Sequence, residues 1–198
     1  MDGSARGPRE RMVYSAAQLV RERGVAATGV RDVVERASAP RGSFQHYFPG
    51  GKDQLVSEAL LWSGDYAAAW AARYLRETRR PTPSGLFAHL AAQWKEEFDR
   101  RGFQRGCPVM ATAGEVAGSG SAITEPLRMA LSRWEEAIVA ALTAMGVPAR
   151  RGRRQATLML STLEGAILMA RVYGSVRPLT TVVKDLGPLL DAEFGTDG

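Results

Sequence analysis

Residues 31–55 read RDVVERASAPRGSFQHYFPGGKDQL, a charged amphipathic segment followed by a stretch with two prolines, three aromatic residues and three glycines. Val33, Val34 and Ala37 recur at the spacing of one helix face, which predicts a short helix. The sequence SAP at 38–40 ends this helix, because proline disfavours the helical conformation of the preceding residue and has no backbone donor. A second short helix is predicted to begin near this proline.

The predicted second helix combines polar side chains with aromatic anchors and ends at PGG, residues 49–51. The polar residues are Arg41, Ser43, Gln45 and His46, and the apolar anchors are Phe44, Tyr47 and Phe48. Two short helices joined by a tight turn, the second opening with donors and acceptors, are typical of a helix-turn-helix that reads DNA. An ordinary helix corner with a solvated polar face is the alternative interpretation.

The flanking segments favour the helix-turn-helix. Upstream, residues 9–24 carry an apolar stripe of Met12, Ala16, Leu19 and Val20 and end at Gly24, which predicts a first helix. Downstream, residues 52–77 read as one long helix. Residues 1–54 are therefore predicted to form a DNA-binding domain with a loose arm at 1–8, and residues 55–198 a second domain.

With these helices in place, the sequence resembles the DNA-binding domain of TetR-type transcriptional repressors. The residues that match are Thr28, Val30, Ala37, Gly42, Ser43, Phe44, Tyr47, Phe48, Lys52 and Leu55. Together with the polar residues of the second helix, the resemblance predicts DNA contacts at Thr28, Arg41, Gly42, Ser43, Gln45, His46, Tyr47 and Lys52. Lys52 is expected to contact a phosphate, whereas Gln45 is expected to reach a base edge.

Three residues depart from the family pattern. Gly29 replaces a hydroxyl residue, and Gln45 replaces the common tyrosine, so the operator sequence is not inherited from the family. Ser38 stands where the turn usually has glycine, and a positive φ there is harder for serine to adopt.

A second segment, RGCPVMATAGE at 105–115, extends the resemblance to the LmrA- and YxaF-like branch of these repressors. The match covers much of the C-terminal domain. Its cysteine, Cys107, precedes a proline at a predicted helix start, which suits a helix cap. A redox or electrophile sensor is the alternative, since helix N-termini can lower a thiol pKa.

Composition agrees with a globular DNA-binding protein. The 198 residues are 45% hydrophobic and 24% charged, and the net charge of +5 with a pI near 9.8 suits a nucleic-acid partner. The one cysteine can form no internal disulfide, the first residues MDGSARGPRERM are charged and lack the apolar core segment of a leader, and no run reaches about eighteen apolar residues. We therefore expect a cytoplasmic protein that does not enter a membrane.

The sequence contains few residues of the types that form catalytic or metal sites. His46 and His89 are the two histidines, and no cluster of His, Cys and carboxylates has metal-ligand spacing. The glycine-containing stretches lack the strand and lysine of a phosphate loop. No enzyme activity, metal site or cofactor is expected.

Beyond residue 77, helices are predicted near 84–101, 107–117, 121–145, 149–173 and 179–194, with a bend or restart at Gly187-Pro188. The fold class is therefore all-α. Helix 149–173 is apolar almost all round, which requires neighbours on both sides. The resemblance implies that the last two helices pair with their copies in a homodimer, and Leu160 is a position for testing this. The alternative is that these two helices only complete the core of a single protomer and form no interface.

Large or adaptable side chains of the middle helices are candidates for an effector pocket. They are Trp62, Tyr66, Trp70, Trp94, Phe98, Met110, Trp134, Met159 and Met169, with Glu164 inside an apolar helix. Tyr66, Glu115, Glu164 and Arg171 are the candidate polar contacts. Core packing is the alternative for each of them, and for Glu164 a structural ion pair with Arg171 or a partner chain.

These expectations combine into one function. The sequence predicts a homodimeric repressor that binds a palindromic operator and is released by a small aromatic or hydrophobic effector. Ligand-independent or activating DNA binding, and redox sensing by Cys107, are the alternatives. The sequence names neither the effector nor the operator.

Overall fold

The computed structural model describes residues 7–40 and 42–192, and every regular element in these ranges is an α-helix. The helices are α1 (Pro8–Arg23), α2 (Val30–Arg36), α3 (Ser43–Tyr47), α4 (Gly51–Glu77), α5 (Pro83–Arg101), α6 (Pro108–Val116), α7 (Thr124–Ala144), α8 (Ala149–Tyr173) and α9 (Arg177–Ala192). The predicted all-α class is confirmed. The predictions for Arg41, for arm residues 1–6 and for the helix end at 194 lie outside the described residues.

The chain divides into two compact units, and the first contains the residues up to Asp65 together with Cys107–Ser132. Its core forms where apolar side chains of α1, α2 and the start of α4 meet Phe48. The buried members include Met12, Ala16, Val33, Phe48, Leu55 and Ala59. Each fully buried side chain of the larger kind contributes about 1.5–3 kcal/mol relative to exposure.

Ion pairs on the surface of this unit join α2 to the C-terminal end of α1. Arg36 donates from both terminal nitrogens to the carboxylate of Glu22, at 2.8 and 2.9 Å. Arg23 pairs with Asp32. Exposed pairs contribute about 0–1 kcal/mol each, so they orient the helices more than they hold the fold.

In the same unit, α4 and α7 approach closely at a glycine. A β-carbon on Gly64 would lie 2.6 Å from the backbone oxygen of Ala130. The missing side chain therefore allows backbone contact between the two helices.

The second unit contains Tyr66–Gly106 and the residues from Arg133 onward. Helices α5 and α8 both pack on α9, around buried side chains that include Phe87, Phe98, Trp134, Met159 and Leu190. Asp191 of α9 accepts hydrogen bonds from the backbone N–H (2.9 Å) and the hydroxyl of Ser84, which satisfies donors in the first turn of α5. Because Asp65 and Tyr66 are consecutive in α4, this helix contributes to both units.

Helix α9 runs through Pro188 without a break, so a restart at Gly187-Pro188 is wrong. The proline ring removes one backbone donor, but Pro188 faces solvent, where water can satisfy the freed carbonyl. Gly187 is buried, and a β-carbon there would meet Ser84 at 3.5 Å. A β-carbon there would make an ordinary van der Waals contact, so the packing of α9 on α5 does not itself require glycine at this position.

No helix of the described ranges combines the length and apolar character that crossing a membrane requires.

Candidate functional site

The turn between α2 and α3 has the strained backbone that the sequence pattern predicted. Ser38 has a φ of 48°. Within the described ranges, every other residue with a positive φ is a glycine. The Ala39 N–H donates to the Val34 carbonyl at 3.1 Å, which closes the end of α2 in the manner of a Schellman motif. The expectation that Ser38 adopts a turn position favoured by glycine is confirmed.

Arg11 of α1 supports this turn, and no sequence motif pointed to it. Its Nε donates to the Ala37 carbonyl at 2.8 Å, and its Nη2 donates to the Ser38 carbonyl at 3.4 Å. These carbonyls lie at the C-terminal end of α2, where a cation is favourable. The side chain therefore ties the first helix to the turn.

Helix α3 begins at Ser43 and not near Pro40 as predicted. Gly42 has a φ of 87°, a left-handed conformation that a right-handed helix excludes, so the helix starts after it. Pro40 instead accepts hydrogen bonds from the backbone N–H (3.1 Å) and the hydroxyl (2.8 Å) of Ser43.

The faces of α3 separate anchors from polar groups. Phe48 is fully buried, and its ring stacks on Phe44 with centroids 5.4 Å apart. Gln45 and His46 are exposed, whereas Ser43 and Tyr47 are half-buried. The amide of Gln45 makes a long contact to the Pro49 carbonyl, at 3.4 Å. The exposed amide and imidazole are therefore available to a partner.

Thr28 and Lys52 face the turn between α1 and α2. Thr28 is buried, and its hydroxyl donates to the Gly24 carbonyl at 2.6 Å. The Lys52 ammonium lies 3.5 Å from the Ala26 carbonyl oxygen. DNA contacts by these two residues stay predictions, and Thr28 has a structural role at the start of α2.

Glu115 lies in α6, and its side chain binds the same turn between α1 and α2 instead of lining a pocket. Its two carboxylate oxygens accept hydrogen bonds from the backbone N–H groups of Val25 and Ala26, at 2.8 and 2.7 Å. Sequence reasoning placed Glu115 among candidate effector contacts, since nothing local indicates a partner in the turn between two other helices.

The candidate effector residues are distributed over both units. Trp62 lies in the first unit, where its ring meets Tyr14 edge-on at 5.4 Å, and Met110 also belongs to that unit. The candidates in the second unit are Tyr66, Trp70, Trp94, Phe98, Trp134, Met159, Glu164 and Met169. Met159 is completely buried in the protomer, and that burial is what core packing requires.

A row of aromatic rings links α4 and α5 in the second unit. Trp70 lies 6.3 Å from Tyr66 and 5.4 Å from His89, and Tyr74 lies 5.5 Å from His89, between ring centroids. Burial lowers the pKa of the His89 imidazole, and the charge of Arg73 lowers it further. The neutral form of the ring therefore predominates at pH 7, and the sequence did not point to His89 as a residue of the site.

Two buried ring nitrogens of this unit, Nε2 of His89 and Nε1 of Trp134, have no hydrogen-bond partner within the described ranges. A buried polar atom without a partner is costly, so each is a place where a bound molecule could supply one. Arg171, another candidate, instead donates to the carbonyls of Phe103 and Gln104, at 3.4 and 3.1 Å.

Helix α8 exposes an apolar face. The exposed residues are Leu158, Leu168, Met169, Val172 and Tyr173, with Leu189 on α9. A groove lined by Ser161, Gly165, Met169 and Tyr173 of α8 and by Pro178 and Val182 of α9 runs along it. Leu160 is 6% exposed and faces the protomer core, so its choice as an interface position was wrong.

Residues 14–59 match the family model described as bacterial regulatory proteins of the tetR family, and residues 83–185 match the LmrA/YxaF-like C-terminal domain of transcriptional regulators. An uncharacterised HTH-type transcriptional regulator of Mycobacterium tuberculosis is 38% identical over 193 residues, 95% of this chain and 96% of that protein. The HTH-type transcriptional regulator LmrA of Bacillus subtilis is 26% identical, over 92% of this chain and 96% of LmrA. A TetR transcriptional regulator from Legionella pneumophila shares the fold, with a TM-score of 0.79 at 18% identity over 93% of this chain and 98% of that one.

Proposed function

Since the chain belongs to the TetR family of bacterial regulatory proteins and carries an LmrA/YxaF-like C-terminal domain, we propose that it is a ligand-responsive homodimeric repressor. It binds a palindromic operator through α3 of each protomer, and a small aromatic or hydrophobic effector releases it. Its place of action is the cytoplasm, where a bacterial regulator meets DNA. The proposal includes no cofactor and no catalytic step.

The observation that supports the proposal most directly is that α3 has one face packed on the core and one face exposed to solvent. Phe44 and Phe48 hold the helix on the core of the first unit, while Gln45 and His46 face outward. A helix with exposed donors and acceptors, following a tight turn, suits entry into the major groove. Gln45 is the candidate for base reading, and Lys52 for phosphate contact.

The apolar face of α8 supports the homodimer. Leu168 and Val172 are 60% and 74% exposed, a costly arrangement for two neighbouring apolar side chains on one helix. A second copy of this face would cover them, because a two-fold axis brings identical surfaces together. A two-fold axis would also relate two copies of α3 to one another, which suits a palindromic operator.

The aromatic row of the second unit supports an aromatic or hydrophobic effector. Tyr66 and Trp70 offer ring faces, and the neutral form of His89 predominates at pH 7 because burial and Arg73 lower its pKa. Such surroundings favour apolar rings with one or two polar groups over a charged metabolite. Trp134 supplies an indole N–H that lacks a partner among the described residues.

Helix α4 is the proposed connection between effector and operator. It carries Lys52 in its first turn and the Tyr66–Trp70 pair farther along. An effector releases DNA only if it binds the DNA-free conformation more tightly than the DNA-bound one. We expect the two conformations to differ in the position of α4, as the family resemblance implies.

Footprinting of the purified protein on the DNA upstream of its own gene tests the repressor. The expected result is a protected inverted repeat whose two half-sites lie about 34–36 Å apart. Lack of any protected site there contradicts autoregulation through a palindrome.

Release from that operator, measured by fluorescence anisotropy, tests the effector response. Flavonoid-like and macrolide-like compounds are first screened by thermal shift, and Tyr66→Ala should raise the concentration needed for release. Intact DNA binding without stabilisation by any compound supports a ligand-independent or activating regulator. Release by an oxidant that is lost in Cys107→Ser supports the redox sensor.

A further inference from the structure

One carboxylate of α6 holds the turn between α1 and α2. The bonds from Val25 N–H and Ala26 N–H to Glu115 join residues 90 and 89 positions apart in the sequence. Both amides follow the end of α1, where the backbone has left the helix and its donors need other acceptors. Glu115 therefore supplies a tertiary anchor for this turn.

Gly24 is the complement of this carboxylate. Its φ of 84° ends α1, and a β-carbon on it would overlap Oε1 of Glu115. The glycine thus serves two purposes at once, because it adopts a positive φ without strain and it leaves room for the carboxylate.

Hydrogen bonds continue from this anchor to the residues predicted to contact DNA. The Ala26 peptide gives its N–H to Glu115, and its carbonyl oxygen lies 3.5 Å from the Lys52 ammonium. Val25 gives its N–H to Glu115, and its carbonyl accepts from the Thr28 N–H at 3.1 Å, just before α2 begins. Movement of the carboxylate would therefore shift the turn, and with it the position of Lys52 and the start of α2.

We infer that Glu115 is a positioning residue for DNA binding, which orients the turn between α1 and α2, and with it Lys52 and α2, from a helix outside the helix-turn-helix. The inference rests on the proposed function in requiring that the first unit binds DNA. The inference goes beyond the proposed function because it assigns a role in DNA affinity to a side chain of α6 that is not itself a proposed DNA contact.

The sign of the expected effect separates positioning from electrostatics. Removal of Glu115 takes one negative charge away from a DNA-binding protein, and charge alone would strengthen binding to a polyanion. Loss of positioning would weaken binding, because Lys52 would no longer be held at its phosphate. The two explanations predict opposite changes in affinity for the same variant.

The test compares Glu115→Ala with Glu125→Ala, in the full chain, on a mixed-sequence DNA duplex of about three helical turns. Glu125 lies in the same unit, is exposed and pairs with Arg128 of its own helix, so its variant loses the same charge without touching the turn. We expect Glu115→Ala to bind about tenfold more weakly, and the slope of log affinity against log salt to become shallower by about 0.9 for each bound head. Glu125→Ala should bind as well as the unaltered protein or slightly better.

Glu115→Gln provides a graded variant, because its amide offers one acceptor to two N–H donors and should give an intermediate loss. Amide hydrogen exchange of the unaltered protein makes the inference independent of whether Glu115→Ala folds: Val25 and Ala26 must exchange slowly, and rapid exchange overturns the inference. Equal or tighter binding by a folded Glu115→Ala, with an unchanged salt slope, also overturns it. If the unaltered protein binds neither this duplex nor its upstream DNA, the proposed function fails, and the inference with it.

Discussion

Gly106 leaves the space through which Arg171 reaches the backbone of the loop after α5: a β-carbon at position 106 would lie 2.6 Å from Nη1 of Arg171. The guanidinium uses this space to donate to the carbonyls of Phe103 and Gln104. The presence of glycine in the Gly-Cys-Pro segment thus has a structural explanation. Its lack of a side chain lets the Arg171 guanidinium of α8 bind the loop that precedes α6.

Gly106→Ala should therefore destabilise the protein. The methyl group displaces the guanidinium from its carbonyl partners, and because this flexible side chain can shift and its two hydrogen bonds are long and near the surface, the loss costs about 0.5–1.5 kcal/mol of unfolding free energy. Gly114→Ala is the control, because no atom lies within 4 Å of a β-carbon there and the substitution favours the helix. Urea unfolding measures both variants, and equal stability of the two would show that the Arg171 contact contributes nothing.

Gln45→Ala should reduce discrimination between operator and scrambled DNA. If the exposed amide reads a base edge, its loss costs about 1–3 kcal/mol on the operator and little elsewhere. Lys52→Ala should instead weaken binding to both sequences alike and make the salt dependence shallower. Fluorescence anisotropy on both duplexes at several salt concentrations distinguishes the two. Unchanged discrimination in Gln45→Ala removes base reading from this residue.

Leu168→Arg should produce monomers that keep their helical content. The side chain is 60% exposed in the protomer, so the fold tolerates the charge, whereas an unpaired charge inside an interface costs several kcal/mol. Light scattering should show half the mass, and operator binding should be lost. Leu160→Ala is the matched core variant, expected to remain dimeric while losing about 2–5 kcal/mol of stability. A dimeric Leu168→Arg protein would place the interface elsewhere.

His89 should make the protein less stable in mild acid. Burial and the charge of Arg73 hold its folded-state pKa below the ordinary value of 6.5. The unfolded chain therefore binds more protons as the pH falls through that value, and the free energy of unfolding falls with it. His89→Gln should flatten the profile measured by urea unfolding from about pH 7.5 to 5. An unaltered slope in His89→Gln would assign the acid sensitivity to other groups.

The local features of this fold could be predicted from sequence because local residues cause them. Gly24 ends α1 where expected, helix α8 has the predicted bounds of 149–173, and Ser38 adopts the positive φ that the family pattern implied. In each case, a proline, a glycine or a short motif carries the signal within a few residues.

The interactions missed are those between residues distant in sequence. Glu115 and Val25, or Arg171 and Gly106, lie in different helices and loops, and helical periodicity contains no information about such pairs. Leu160 shows a second limit. On a helix that is apolar almost all round, periodicity does not distinguish the face toward the protomer core from the face exposed at its surface, and only the three-dimensional packing assigns Leu160 to the core.

The hydrogen bonds from the turn between α1 and α2 to Glu115 of α6 have a consequence for building hybrid regulators. A segment that stops at residue 54, where the helix-turn-helix pattern ends, would carry Gly24 and the turn but leave Glu115 behind, since the unit also draws on Cys107–Ser132. A graft of this DNA-reading head onto another sensor would therefore need a carboxylate at the matching place on the recipient's sixth helix. Compatibility between donor and recipient would then depend on that pairing as well as on the point of fusion.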